Sequence, residues 1–275
     1  MVGLKNAKAS YGFTLVEMVT VIIILGVLVL GVSSFVILGT RIFVESTSVE
    51  QVLAQSRFAI ERMTRELRNA IPNSMRLTSG DNAGVPYQCV EFVPIQASAS
   101  YVDLPFFPSA VSDTGTVFTP SQGVNLSHKL LVYPLTSNHV YTVTSPGTDG
   151  RLFDVKAFSS SNGQITFDDD VRFAESSPIQ RYYMVDDAVS YCFESEGDLR
   201  RYAGYGLNTV QMTPNTDGVL MAENVINDLT NASDMPILLT QSSLVNNAML
   251  QLAPRFSVNG QAFQYQHQVQ VINVP

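Results

Sequence analysis

From Met18 to Thr40 no residue carries a charge, and Arg41 ends the run. A helix of about 20 apolar residues crosses the hydrocarbon core of a bilayer, so this stretch is long enough to span one. A single carboxylate, Glu17, stands at its near edge, four residues after Phe13. An ionised carboxylate inside lipid costs at least about 2.5 kcal/mol. Glu17 is therefore a functional-site candidate that needs a cationic partner, unless its side chain snorkels to the headgroups.

The residues ahead of the run, MVGLKNAKASYG, are polar, contain Lys5 and Lys8, and end in Gly12. A secretory signal is cut after its apolar region. Here the small residue lies before it, so cleavage leaves the hydrophobic helix on the mature chain. Gly12-Phe13-Thr14-Leu15-Val16-Glu17, followed by an apolar helix, resembles the class III signal of type IV pilins and type II secretion pseudopilins. An ordinary signal anchor is the competing reading.

The resemblance implies a life history. Prepilin peptidase would cut between Gly12 and Phe13, and the new α-amino group of Phe13 would be N-methylated and stay cationic. Glu17 would then pair with the Phe13 amine of a neighbouring subunit as the apolar helices bundle. The other partners implied are minor and major pilins, packed through their N-terminal helices, and an inner-membrane assembly platform. Subunits of this kind are not enzymes, so no catalytic residue, cofactor or metal is expected. Lys5 and Lys8 favour a cytoplasmic N-terminus, with Arg41 opposing them. The remainder then lies in the periplasm, anchored by a single pass through the inner membrane until it enters a filament or its tip.

The chain continues past the span without proline until Pro72. Val49, Val52, Leu53, Ala59, Ile60, Met63, Leu67 and Ala70 fall on one face at helical period. Arg57–Glu61, Glu61–Arg65 and Arg62–Glu66 stand at i,i+4 on the other face. Proline disfavours helix in the residue before it, so the pattern predicts one helix from Phe13 to Ile71, about 88 Å long at 1.5 Å per residue. Gly26, Gly31 and Gly39 allow close helix approach or are simply tolerated in a membrane helix.

After Pro72 the texture is that of short strands broken by Gly, Pro, Asn, Asp and Ser. Strands are predicted at 88–95, 129–133, 139–144, 151–158, 181–185, 188–194 and 199–202, and 98–127 reads as a long loop. The last stretch alternates strictly. Leu250, Leu252, Phe256 and Val258 lead to Asn259-Gly260, a type I′ turn signal, and then to Phe263, Tyr265, His267, Val269 and Val271. The expected fold class is α+β. The expected divisions are a leader (1–12), a long helix (13–71, with 13–40 transmembrane) packed on an antiparallel sheet, and a β-rich periplasmic domain (72–275).

Within the superfamily, Asp186-Asp187-Ala188-Val189-Ser190-Tyr191-Cys192-Phe193 and Gly197-Asp198-Leu199-Arg200-Arg201-Tyr202 resemble the J-type minor pseudopilins, as does the final Val269–Pro275. The helix segments 57–63 and 65–70 are most similar to the O-type minor pilins of the mannose-sensitive haemagglutinin pilus. Such minor subunits start the filament and sit at its tip. A surface-glycan adhesin is a further alternative, with Tyr182, Tyr183, Tyr191, Tyr202 and Tyr205 as its aromatic residues.

Composition bounds the rest. The net charge is −8, and loss of Lys5 and Lys8 with the leader makes it −10; nucleic-acid binding needs a basic face instead. Cys89 and Cys192 form no metal-type spacing. They either pair in an oxidising compartment or stay two buried thiols. His128, His139 and His267 do not cluster, and His267 falls on the apolar face of the last strand. Asp168-Asp169-Asp170 reads as a solvated hairpin turn rather than a calcium site.

Overall fold

A computed structural model of the protein describes residues 12–240 and 248–271. The leader up to Tyr11, with Lys5 and Lys8, lies outside the described residues, as does the C-terminal stretch 272–275. In chain order the elements are α1 (Leu15–Arg68), β1 (Arg76–Asn82), β2 (Val85–Phe92), β3 (Ala97–Asp103), β4 (Ser112–Val117), β5 (Lys129–Val132), α2 (Ser137–Tyr141), β6 (Asp149–Gly150), β7 (Leu152–Ser159), β8 (Gln164–Phe173), β9 (Arg181–Val185), β10 (Val189–Glu194), β11 (Leu199–Ala203), β12 (Val219–Ala222), β13 (Ile237–Thr240), β14 (Ala248–Leu252), β15 (Arg255–Val258), β16 (Gln261–Gln264) and β17 (His267–Val271). This is the α+β architecture expected. Two compact units divide at Gln51/Val52.

In the first unit every residue from Gly12 to Thr47 is exposed. Such a length of bare Val, Leu, Ile and Phe has to be covered by lipid or by other chains. A Cβ at Gly26, Gly31 or Gly39 would meet nothing within 4 Å, so among the described residues no contact requires glycine there.

In the second unit, Ala59, Ile60, Met63 and Leu67 pack against Val90, Phe92, Tyr191 and Phe193 of a five-stranded antiparallel sheet, ordered β1-β2-β10-β11-β12. The expected stripe is there, with Ser56 and Thr64 buried in it as well. α1 stops at Arg68, three residues before the predicted end. Its next residues bond sideways instead: the Ile71 N–H donates to Val93 O at 2.8 Å, the Ile95 N–H donates to Asn69 O at 2.9 Å, and Ala70 bridges to Pro94.

A second, three-stranded sheet (β13-β14-β17) joins the same core through Ile237, Leu250, Leu252 and Val269. Buried Gln88 of β2 ties it on: its Nε2 donates to Ile237 O at 3.0 Å and its Oε1 accepts from Ile237 N at 2.9 Å. The C-terminal hairpin forms as the alternation predicted, but in two segments. β14 pairs β17, β15 pairs β16, and the register is unbroken across the gap at Pro254, which has no N–H to give to a ladder. Asn259 and Gly260 both have positive φ, 51° and 78°, as a type I′ turn demands.

Between β2 and β10, which are neighbours in the sheet, the chain makes a structure that the sequence did not announce. β4 pairs with β3 on one side and β8 on the other, and this closes β4-β3-β9-β5-β7-β8 into a six-stranded ring. Phe153, Phe167, Phe173, Tyr182 and Met184 fill its interior. Leu131, Tyr183 and Val185, one residue out of phase, point outward into a separate core with Ile71 and Val93.

Three expectations are corrected here. The stretch 98–127 is not a loop but contains most of β3 and all of β4. Its small polar residues belong to a crowded strand, for a Cβ on Gly115 would lie 2.5 Å from Leu104 Cδ2. The segment 139–144 is not a strand; Ser137–Tyr141 is helical. Val140 and Tyr141 are adjacent and both buried, whereas a strand would send them to opposite faces. Asp168–Asp170 is no turn but an exposed part of β8, where its pairing with β4 jumps from Thr114↔Thr166 to Ser112↔Val171.

Candidate functional site

The first candidate site lies at the start of α1. Gly12, Phe13 and Thr14 precede the helix, and Thr14 caps it. Its Oγ1 accepts from the Glu17 N–H at 3.3 Å and its carbonyl accepts from the Met18 N–H at 3.2 Å. Thr14-Leu15-Val16-Glu17 is a capping-box spacing, a signal in the motif that the sequence reading passed over. The cap places Glu17 in the first turn. Among the described residues no cation lies within 4.0 Å of its carboxylate. Phe13 is 77% exposed. Phe13, an acid and a bare apolar helix thus stand together, and among the described residues the acid has no cationic partner.

The second feature is the seam where α1 meets the sheet. Glu66 accepts from Arg62 Nε and from Arg201 Nε, each at 2.9 Å. Burial opposes the charged carboxylate, but the hydrogen bonds from Arg62 and Arg201 outweigh it and hold its pKa below the ordinary value. Of the three i,i+4 pairs expected, Arg62–Glu66 forms. Among the described residues Arg57–Glu61 and Glu61–Arg65 make no ion pair.

Cys89 and Cys192 face each other on β2 and β10 and are joined by a disulfide, S–S 2.02 Å. Tyr87 and Tyr202 pack over it. It joins the two neighbouring strands of the five-stranded sheet between which, in sequence, the six-stranded ring is inserted. Next to it, fully buried Glu91 pairs with Arg76 and accepts from Tyr205 Oη at 2.9 Å. Arg76 also donates to the carbonyls of Thr209 and Asn208 and lies over the Tyr141 ring.

The histidines stay apart. His128 Nε2 is 3.8 Å from Asp186, and His139 Nδ1 accepts from the Leu135 N–H at 3.2 Å. His267 is exposed rather than covered on the apolar face. Its neighbours Tyr265 and Val269 are sheltered, but its ring stands at the rim of a groove beside α1. No group of three metal-binding side chains occurs among the described residues. Of the five tyrosines named for a glycan site, Tyr182, Tyr183, Tyr191 and Tyr202 are core, at most 3% exposed, and Tyr205 is half-buried.

Residues 7–33 match the prokaryotic N-terminal methylation motif. This is the type IV pilin-like prepilin signal, and it supports a place in the pilin and pseudopilin superfamily, whose members are structural subunits rather than enzymes. The motif implies processing by prepilin peptidase and assembly with other pilins. Together with α1, the one described helix long and apolar enough to cross a membrane, it fits a membrane-anchored pilin. No curated protein and no solved structure matches the chain significantly.

Proposed function

We propose that the chain is a minor pilin, similar to the O subunit of the mannose-sensitive haemagglutinin pilus, that acts in type IV pilus biogenesis within a tip or initiation complex. The observation that carries this reading is Glu17. It is an acid with no cation within 4.0 Å among the described residues, at the head of an exposed apolar helix, four residues from the terminus that cleavage after Gly12 would create. The Phe13 amine of a neighbouring subunit answers its charge, and pairing offsets the cost of holding a carboxylate in lipid. Correct axial register is favoured and wrong register is not. The leader (1–12) precedes cleavage, the helix (13–71) anchors and assembles, and the periplasmic domain (72–275) meets other minor pilins. The N-terminus is cytoplasmic before assembly.

The test is complementation of a strain lacking this subunit. Glu17→Gln should leave the β domain folded and disulfide-bonded while surface pili fall to the level of the deletion. Wild-type piliation with Glu17→Gln would overturn the reading. The J-type pseudopilin of a type II secretion system is the second reading. It is favoured by 186–193 and 197–202, which build the β10–β11 hairpin under α1. Loss of secretion with intact pili in the deletion strain would select it.

A further inference from the structure

Beside the buried stripe of α1 runs a groove of about 580 Å³. One wall is α1, with Ile60, Thr64 and the arginines Arg57, Arg65 and Arg68; the other is formed at Tyr265 and His267. The three arginines are exposed, and among the described residues none lies within 4.0 Å of a carboxylate. Glu61 is the single acid of the lining. On a chain of net charge −8, this is a concentration of unneutralised positive charge.

A second observation is independent of charge. Thr64 is 6% exposed, and its Oγ1 is buried without a hydrogen-bond partner. On the same helix Thr20, Thr40 and Thr47 donate back to helix carbonyls; Thr64 does not. A buried hydroxyl left unpaired is costly, and a ligand in the groove would relieve it. The floor is apolar at Ile60 and Tyr265. β17, which starts at His267, is a terminal strand of its sheet, and such strands accept added chains.

We propose that this groove docks an acidic segment of a partner protein, with carboxylates on Arg57, Arg65 and Arg68, a polar group on Thr64 Oγ1 and an apolar side chain over Ile60 and Tyr265. Guanidinium forks match carboxylates in two-point geometry. Arg57 to Arg68 is eleven residues of helix, about 16 Å, which suits several residues of peptide rather than one small anion. The inference stands whether or not the apolar helix enters a filament.

The test uses the full chain in neutral phosphatidylcholine nanodiscs. A fluorescein-labelled peptide of repeating Glu-Glu-Leu is titrated by anisotropy, with its Lys-Lys-Leu counterpart as control. Saturable binding of the acidic peptide alone is expected. The double variant Arg65→Glu/Arg68→Glu should weaken it at least tenfold, and Thr64→Val at least twofold, with circular dichroism unchanged. Equal affinity for both peptides, or for the charge-reversed variant, would overturn the proposal. So would full displacement of the peptide by glycerol phosphate at equal charge, which would assign the groove to a lipid headgroup.

Discussion

Glu66 on α1 and Arg201 on β11 are 2.9 Å apart, and this contact is the charged fastening between the helix and the sheet. Both side chains are 20% exposed, so the pair is partly shielded from solvent. Arg201→Ala removes one of two charged donors to Glu66 and should cost about 1–2 kcal/mol. The pH dependence has a definite sign. The folded pKa of Glu66 lies below its usual value of 4.5, so the folded state favours the carboxylate. The stability it contributes is complete above the unfolded pKa and is lost as pH falls through the lower folded value. Urea titrations at pH 7 and pH 3 should show the gap between wild type and Glu66→Gln narrowing at the acid end.

Arg76→Ala should be more damaging. It leaves Glu91, which is fully buried, with Tyr205 as its remaining side-chain partner. Removing one member of a buried pair costs about 3–5 kcal/mol. Equilibrium unfolding of the variant should show a fall of that size, and a loss below about 1 kcal/mol would mean that water reaches Glu91.

Cys89 and Cys192 close a loop spanning 103 positions. In the chain-entropy account a loop of that length stabilises by about 4–5 kcal/mol. Cys89→Ser/Cys192→Ser should lower the unfolding midpoint accordingly. Reductant should lower the wild-type midpoint and leave the variant unmoved.

Gly163, in the turn between β7 and β8, has φ +71°, and a Cβ there would lie 2.4 Å from Val117 O. The Val117 N–H in turn donates to Gly163 O at 2.8 Å. Gly163→Ala should therefore destabilise by about 1–3 kcal/mol through overpacking alone, with left-handed strain added. Hydrogen exchange should show the loss first in β4, β7 and β8.

What the sequence made legible was local. The apolar run, the helical stripe to Leu67 and the alternation around Asn259-Gly260 each carry their period within a few turns or one hairpin. The six-stranded ring was hidden because its closure depends on β4 meeting β8, about 50 positions away, and because Ser-Asp-Thr-Gly-Thr-Val has the composition of a loop. α2 was hidden because Val140 and the Thr142-Val143-Thr144 that follows it have the propensity of a strand, while Val140 and Tyr141 are both buried, as a helix allows. His267 followed the parity of its strand but not its burial, since no described residue covers that rim. Gln88, Ser56 and Thr64 are polar, so nothing local marks them as core, yet all three are buried.

The central claim is that this chain enters the pilin pathway through Gly12 and Phe13. Intact mass and N-terminal sequencing of the protein, expressed with and without a prepilin peptidase, test it most directly. The account predicts a peptidase-dependent loss of residues 1–12 and an N-methylated Phe13 as the new terminus. A chain that still begins at Met1 in both strains would contradict it.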